Sequence, residues 1–276
     1  MANITTEDVV RLRKATLAGM MDCKRALEEA DGDFNKAVEI IRKKGQAVAN
    51  KRADRTATEG AVLAKVCPTG KHGAIIVLNS ETDFVARNAE FLKLANNILD
   101  IALANKPADL ESLKSLKLDG TPIAEKIVEY IGVIGEKIEL SFYDKIEAPY
   151  VQAYVHPGNK LASLVGFSKA GLDLQFYKDI AMQVAAMNPV AIDKEDVNPE
   201  IIAKEIEIGK EQARQEGKPE EMLEKIAQGK LNKFFKESTL LNQEFTKDSK
   251  LTVRQYIQSV DKEIKITGFI RYALNS

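Results

Sequence analysis

Apolar positions along the chain follow two spacings, one helical and one alternating, and the order in which they come defines the elements. Between residues 5 and 45 the spacing predicts three short helices. Thr5 can cap the first, with Asp8 in the capping-box position, and Val9, Leu12 and Ala15 or Thr16 keep the helical period. Leu17-Ala18-Gly19-Met20-Met21-Asp22 breaks that pattern, and Asp22 can cap a second helix holding Ala26 and Leu27. Asp31-Gly32-Asp33 reads as a turn whose last residue caps a third helix, with Phe34, Ala37, Val38 and Ile41 in one stripe. Arg42, Lys43 and Lys44 suit the end of that helix, and Gly45 suits the residue just past it. So few residues make a thin core, suited to docking on something larger. Residues 46–58, with Lys51, Arg52 and Arg55 among Ala and Thr, read as a basic linker.

The centre carries an internal repeat. Ala64, Val66, Pro68 and Lys71 recur as Ala153, Val155, Pro157 and Lys160, all at an offset of 89 residues. In each copy an alternating strand meets a Pro/Gly turn and a second apolar strand follows, Ala74–Leu78 in one and Leu161–Phe167 in the other, which is a hairpin pattern. Each hairpin leads into a helical stripe: Phe91, Leu94, Ala95, Ile98 and Leu99, then Phe176, Ile180, Ala181 and Val184. Each copy closes on an alternating strand, Lys137–Phe142 and Glu263–Ile266. Two β-β-α-β units follow, each an antiparallel sheet with helices on one face, in an α+β chain.

The second copy is interrupted. Asn198-Pro199 is a helix start, and Ile201, Ile202, Ile206 and Ile208 follow among charges. Gly217-Lys218-Pro219 is a stop and restart, and Met222, Leu223, Ile226, Leu231, Phe234 and Phe235 run back. An antiparallel helical hairpin over about 198–240 fits, either as a projecting coiled coil or as two helices lying flat on the sheet. The expected division is a helical module and linker over 1–55, a first α+β unit over 56–147, and a second over 148–276 that contains the hairpin.

Charge and composition narrow the function. Lys and Arg number 40 against 41 Asp and Glu, for a net charge of −1, and aromatics are 6% with no Trp. Bulk binding to nucleic acid phosphates and wide base-stacking surfaces are therefore disfavoured. A nucleic-acid protein using Lys24, Arg25, Lys51, Arg52 and Arg55 is the rival of one class, and an adaptor using Met20 and Met21 as its surface is another. Cys23 and Cys67 lie far apart without a CxxC and read as two buried thiols rather than a zinc site or a disulfide. The start, Met1 to Glu7, has no basic and apolar leader pattern, and no apolar run is long enough to span a membrane, so a cytoplasmic location is expected.

Catalytic constellations are scarce. His72 and His156 each fall at a hairpin turn, away from any nucleophile or metal-ligand spacing, and His72 reads as a solvated turn residue. Gly70-Lys71 is no phosphate loop, because Lys65 stands where that loop begins with Gly and His72 where it ends with Ser or Thr. No metal, cofactor or covalent chemistry is expected. The informative stretch is Asn79 to Asn88, a strand-to-helix turn with Thr82-Asp83-Phe84-Val85 at its centre. On spacing alone two readings stay open. Phe84 can fold back onto its own sheet while Asp83 caps the next helix, or it can stand out for a partner.

Thr82-Asp83-Phe84-Val85-Ala86 after a strand resembles a motif of the elongation factor Ts family. Leu17-Ala18-Gly19-Met20-Met21-Asp22-Cys23-Lys24-Arg25-Ala26-Leu27, continued by Asp31-Gly32-Asp33 and Ala37, resembles that family's N-terminal motif nearly residue for residue. His156, Gly217-Lys218-Pro219 and Thr267-Gly268-Phe269-Ile270-Arg271 extend the resemblance over essentially the whole chain. It implies an N-terminal three-helix (UBA-like) module, two related α+β subdomains and an inserted coiled coil. It also implies guanine nucleotide exchange on elongation factor Tu during translation elongation, without covalent chemistry. Thr82, Asp83, Phe84 and Val85 would enter the partner's GTPase domain and disturb its magnesium site. Arg13, Met20, Met21 and Lys24 would touch the same domain, as would His156, although Pro157-Gly158-Asn159 beside it departs from the family pattern. The resemblance leaves room for a complex of two factor–Tu pairs and implies no direct contact with nucleic acid or membrane. The chain stops at Ser276, so contacts made by the further C-terminal module of some relatives are not expected here.

Overall fold

The computed structural model describes residues 4–274. Met1, Ala2 and Asn3, on which the leader reading partly rests, lie outside them, as do Asn275 and Ser276.

Three helices come first: α1 (Thr6–Thr16), α2 (Met20–Glu29) and α3 (Phe34–Arg52). Thr5 and Asp8 form the expected capping box on α1. Leu12, Cys23, Leu27 and Ala37 centre the small core between the three helices. Three expectations fail here. Gly19, not Asp22, occupies the N-cap of α2, and Asp22 lies in its first turn, where a carboxylate complements the helix dipole. Gly45 does not end α3. It sits mid-helix because α3 crosses α7 (Ile123–Ile134) there, and a Cβ built on Gly132 of α7 would come within 2.4 Å of the Gly45 Cα. Residues 46–52 are helix rather than linker, since Val48 and Ala49 pack on the next core.

The first sheet pairs β1 (Glu59–Val66), β2 (His72–Ser80) and β5 (Ile138–Glu147) in the order β1-β2-β5, all antiparallel. Between β2 and β5 the chain forms α4 (Asp83–Ala86), α5 (Ala89–Asn105), α6 (Leu110–Ser115), the short ribbon β3 (Lys117–Leu118) and β4 (Thr121–Pro122), and α7. Alternation along β2 sends Ala74, Ile76 and Leu78 to a core with Phe91, Leu94, Ile98 and Leu99 of α5 and Ile123, Ile127 and Ile131 of α7. Ile75 and Val77 point the other way.

The second sheet repeats the arrangement with β6 (Tyr150–Val155), β7 (Leu161–Phe167) and β10 (Ile266–Ala273), β7 being central. Its closing strand starts where the alternating stretch Glu263–Ile266 ends, because Ile264 is drawn into the core beneath α11 (Val253–Val260) instead of joining the ladder. Val165 and Phe167 meet α8 (Leu174–Met187) on one face. On the other, Val151, Ala162 and Leu164 meet Val62, Ala64, Ile75 and Val77 of the first sheet. The two sheets thus share an apolar layer, and helices cover their outer faces.

The interruption is a helical hairpin of α9 (Pro199–Gln215) and α10 (Glu220–Ser238), preceded by a 3-10 turn at Lys194–Asp196. Gly209 packs on Ala227 at the crossing, and Ala213, Leu223 and Leu231 fill the seam without joining either sheet core. The projecting reading holds over the flat one. Its base is tied by Asp193 to Arg254 and Asn242, and by Gln243 to the carbonyls of Met187 and Glu237. The ribbon β8 (Glu244–Phe245) and β9 (Asp248–Thr252) then leads into α11.

Candidate functional site

Two of the four residues at the β2–α4 turn anchor it and one is projected. Thr82 is the N-cap of α4, and its hydroxyl accepts from the Val85 N–H. Val85 packs against the first core and Ala86 is buried, which sends Phe84 to the opposite side of the turn, where 84% of it is exposed. Of the two readings of Phe84, folding back on the sheet is excluded. Asp83 is the first helical residue rather than the cap, and its carboxylate pairs with Arg87 at 3.0 Å.

Two carboxylates fasten the turn to distant parts of the chain. Glu136, between α7 and β5, accepts from the Thr82 N–H at 3.0 Å and from the Thr82 hydroxyl at 2.8 Å. Glu81 accepts from the Lys137 N–H at 2.6 Å and from the Arg52 guanidinium at 3.0 Å. These groups gave no signal in the sequence. They lie 29 to 56 positions from their partners, and a lone acidic residue in a polar stretch reads as solvated.

The N-terminal motif forms a second exposed apolar edge. Leu17 ends α1 in the left-handed conformation (φ 60°), with its N–H on the Arg13 carbonyl. That bend buries Ala18 and leaves Leu17 and Met21 41% and 62% exposed. Met20 and Met21 open α2, and Lys24 pairs loosely with Glu28 at 3.9 Å on its solvent side. Arg13 is exposed near the end of α1. Gly19 and Asp22 face Val48, Gly132 and Val133 across a cleft, and Glu136 follows Val133 by three residues. The end of α7 therefore joins the α2 edge to the Phe84 turn.

His156 is exposed in the β6–β7 turn, and its Nδ1 lies 2.9 Å from the Tyr154 hydroxyl. That turn leans on the start of β1: Val62 N–H donates to the Asn159 carbonyl at 2.7 Å and Lys160 pairs with Glu59 at 2.8 Å. Glu59 is in turn opposite Ser80 at the end of β2. His156 thus belongs to the same end of the paired sheets as Phe84.

His72 differs from its expected place in solvent. It opens β2 on the face of Ala74 and Ile76, is 2% exposed, and neither ring nitrogen has a hydrogen-bond partner. Burial, with the Lys106 ammonium, pushes its pKa down, while the Glu147 carboxylate 3.7 Å away opposes this. Cys23 is buried as expected, whereas Cys67 is partly exposed beside Thr69. Burial raises the Cys67 thiol, but hydrogen bonds from Thr69 and the neighbouring backbone outweigh it and bring it to about 7. Among the described residues, no group of three or more His, Cys, Asp or Glu could hold a metal ion, and no helix is long and apolar enough to cross a membrane.

Known proteins match this chain along its length. A family model described as Elongation factor TS covers residues 81–276, starting at the Phe84 turn. The protein named Elongation factor Ts from Porphyromonas gingivalis is 53% identical over 276 residues, with 99% of each chain covered. That of Amoebophilus asiaticus is 53% identical over 270 residues, covering 97% of this chain and 98% of its own. That of Christiangramia forsetii is 52% identical over 276 residues, covering 99% and 100%. With the motifs in place on the fold and relatives matching from end to end, the chain belongs to the elongation factor Ts family of translation elongation factors.

Proposed function

We infer that the chain promotes release of GDP from elongation factor Tu, acting as a nucleotide exchange factor that makes and breaks no covalent bond. The observation that carries this reading is Phe84: a large apolar side chain, 84% exposed, on a turn whose neighbours are buried or hydrogen-bonded. Leaving Phe in water forgoes about 1.5–3 kcal/mol of burial, a cost that a partner's pocket recovers. Thr82, Asp83, Phe84 and Val85 are the segment that enters the GTPase domain and disturbs its magnesium site. Arg13, Met20, Met21, Lys24 and His156 are further contacts, supported by their exposure along the edges described above. The divisions at 55/56 and 147/148 are the proposed unit boundaries, with the α9–α10 arm free to reach other parts of the partner, including a second factor–Tu pair. Action in the cytoplasm, without direct contact to nucleic acid or membrane, completes the reading.

The mechanism is linkage. If the factor binds nucleotide-free Tu better than GDP-bound Tu, GDP and the factor weaken each other by the same ratio. A coupling of about 4 kcal/mol weakens GDP about a thousandfold. Phe84 supplies coupling by filling space that exists only when the magnesium contacts are displaced. Without Mg²⁺ the diphosphate loses its main neutralising charge. Titrating the protein against Tu with and without GDP tests this: tighter binding to the nucleotide-free form supports the reading, and equal affinity removes it.

A further inference from the structure

The turn that carries Phe84 is too short to hold itself. Asp83–Ala86 has four residues, and a helix of that length does not persist alone in water. Its own cap is long, 3.4 Å from the Val85 nitrogen to the Thr82 hydroxyl oxygen. The Asp83–Arg87 pair is largely exposed and contributes little. The firm contacts come from outside. Both donors of Thr82, its N–H and its hydroxyl, end on the two oxygens of the single Glu136 carboxylate, at 3.0 and 2.8 Å. Such bonds to an ionised acceptor are shorter and stronger than neutral ones. While donating its proton to Glu136, the Thr82 hydroxyl accepts from the Val85 N–H, so the same carboxylate holds the side chain in the orientation that caps the turn. The Ser80 hydroxyl donates to the Thr82 carbonyl at 2.9 Å and fixes the remaining polar group.

We propose that Glu136 is a positioning residue for nucleotide exchange: it holds the Thr82 turn so that Phe84 stands in its inserting orientation before the partner arrives. The inference rests on Phe84 being the inserted residue. A side chain ordered in advance avoids an ordering cost at binding, which an untethered turn meets at the moment of insertion. Glu136 is itself held in place by the strand it precedes, since β5 begins two residues later with Ile138 paired to Ser80 of β2, and Lys137 between them gives its N–H to Glu81 at 2.6 Å. Glu81 in turn binds Arg52 at the end of α3, so the tether also reaches the helix that carries the N-terminal module.

A double-mutant cycle tests the proposal on the full chain. Release of a fluorescent GDP from elongation factor Tu is timed for the parent, Glu136→Ala, Phe84→Ala and the double variant. With Phe84 present, Glu136→Ala slows release about tenfold, the order of one unrecovered side-chain ordering cost. In the Phe84→Ala background the same change costs less than about twofold, since no insertion remains to be prepared. Glu136→Gln, which keeps the shape and one acceptor oxygen, recovers part of the rate and serves if the alanine variant melts too low. Hydrogen exchange without Tu gives a second readout: the Val85 and Ala86 amides lose protection in the Glu136 variants while the amides of β2 keep theirs. Equal slowing in both backgrounds would make Glu136 a support of the fold and overturn the proposal. So would an unchanged rate in Glu136→Ala alongside a slow Phe84→Ala, which leaves the reading of Phe84 standing. A Phe84→Ala variant as fast as the parent removes that reading and this inference together.

Discussion

Replacing Phe84 by alanine separates the two roles an aromatic side chain can have. Full burial of Phe is worth about 1.5–3 kcal/mol. With 84% of Phe84 exposed, truncation forfeits about 0.5 kcal/mol of folding stability or less. For a chain of this size that moves the Tm by roughly 1–2 °C at most. A buried Phe in the same chain would cost about 3–5 kcal/mol. Binding loses far more. Truncating a central aromatic anchor in an interface costs about 2 kcal/mol or more, roughly a thirtyfold loss. The assay pairs a thermal melt with stopped-flow release of fluorescent GDP from elongation factor Tu. The expected result is a nearly unchanged melt and exchange slowed about thirtyfold or further. Asp83→Ala is the companion, and slows exchange if its carboxylate helps displace the magnesium contacts. A sharply lowered melt with exchange intact wherever the variant stays folded would return Phe84 to the core and leave the mechanism without its wedge.

The remaining predictions concern the frame around the turn. Because burial holds the folded-state pKa of His72 below its ordinary value, the unfolded chain takes the proton first. Stability is complete above about pH 6.5 and falls as the pH drops through that value toward the folded pKa. His72→Leu flattens that slope in melts between pH 7 and 5 and raises stability at pH 7 by removing two unpartnered ring nitrogens; a slope unchanged in the variant assigns it to other groups. Gly132→Ala forces a Cβ against the Gly45 backbone and costs about 1–3 kcal/mol in denaturant unfolding, and an unaffected midpoint would show that α3 and α7 can part freely. A fragment beginning at residue 56 keeps a cooperative melt, because the fully buried residues of the two sheet cores all lie beyond that point, but melts lower for want of Val48, Ala49 and the Arg52–Glu81 pair; loss of the cooperative transition would refute the proposed boundary.

What the sequence made legible was whatever depends on local period. The stripe Phe91, Leu94, Ala95, Ile98 and Leu99 became the buried face of α5, and the 89-residue repeat became two sheets with the same strand pairing. Features set by contacts between distant segments were not legible. Gly45 looks like a helix stop because glycine commonly is one, and only the crossing with α7 explains it inside α3. Glu136 and Glu81 matter through partners brought close by the fold, and carry no local mark. His72 had a signal that was missed: the alternation of Ala74, Ile76 and Leu78, carried back one step, already points it inward. At the site, the resemblance singled out Phe84, but spacing could not say which way it points. That direction follows from Val85 and Ala86 being drawn into the core on the other side of the turn.

The central claim is that this protein speeds the departure of GDP from elongation factor Tu and is then free to act again. Tu loaded with fluorescent GDP and chased with excess unlabelled nucleotide reports it directly when the protein is added well below the concentration of Tu. Every Tu molecule is expected to release its label, at a rate proportional to the protein added. Release that stays at the intrinsic rate, or that stops after one equivalent of Tu per protein, would contradict it.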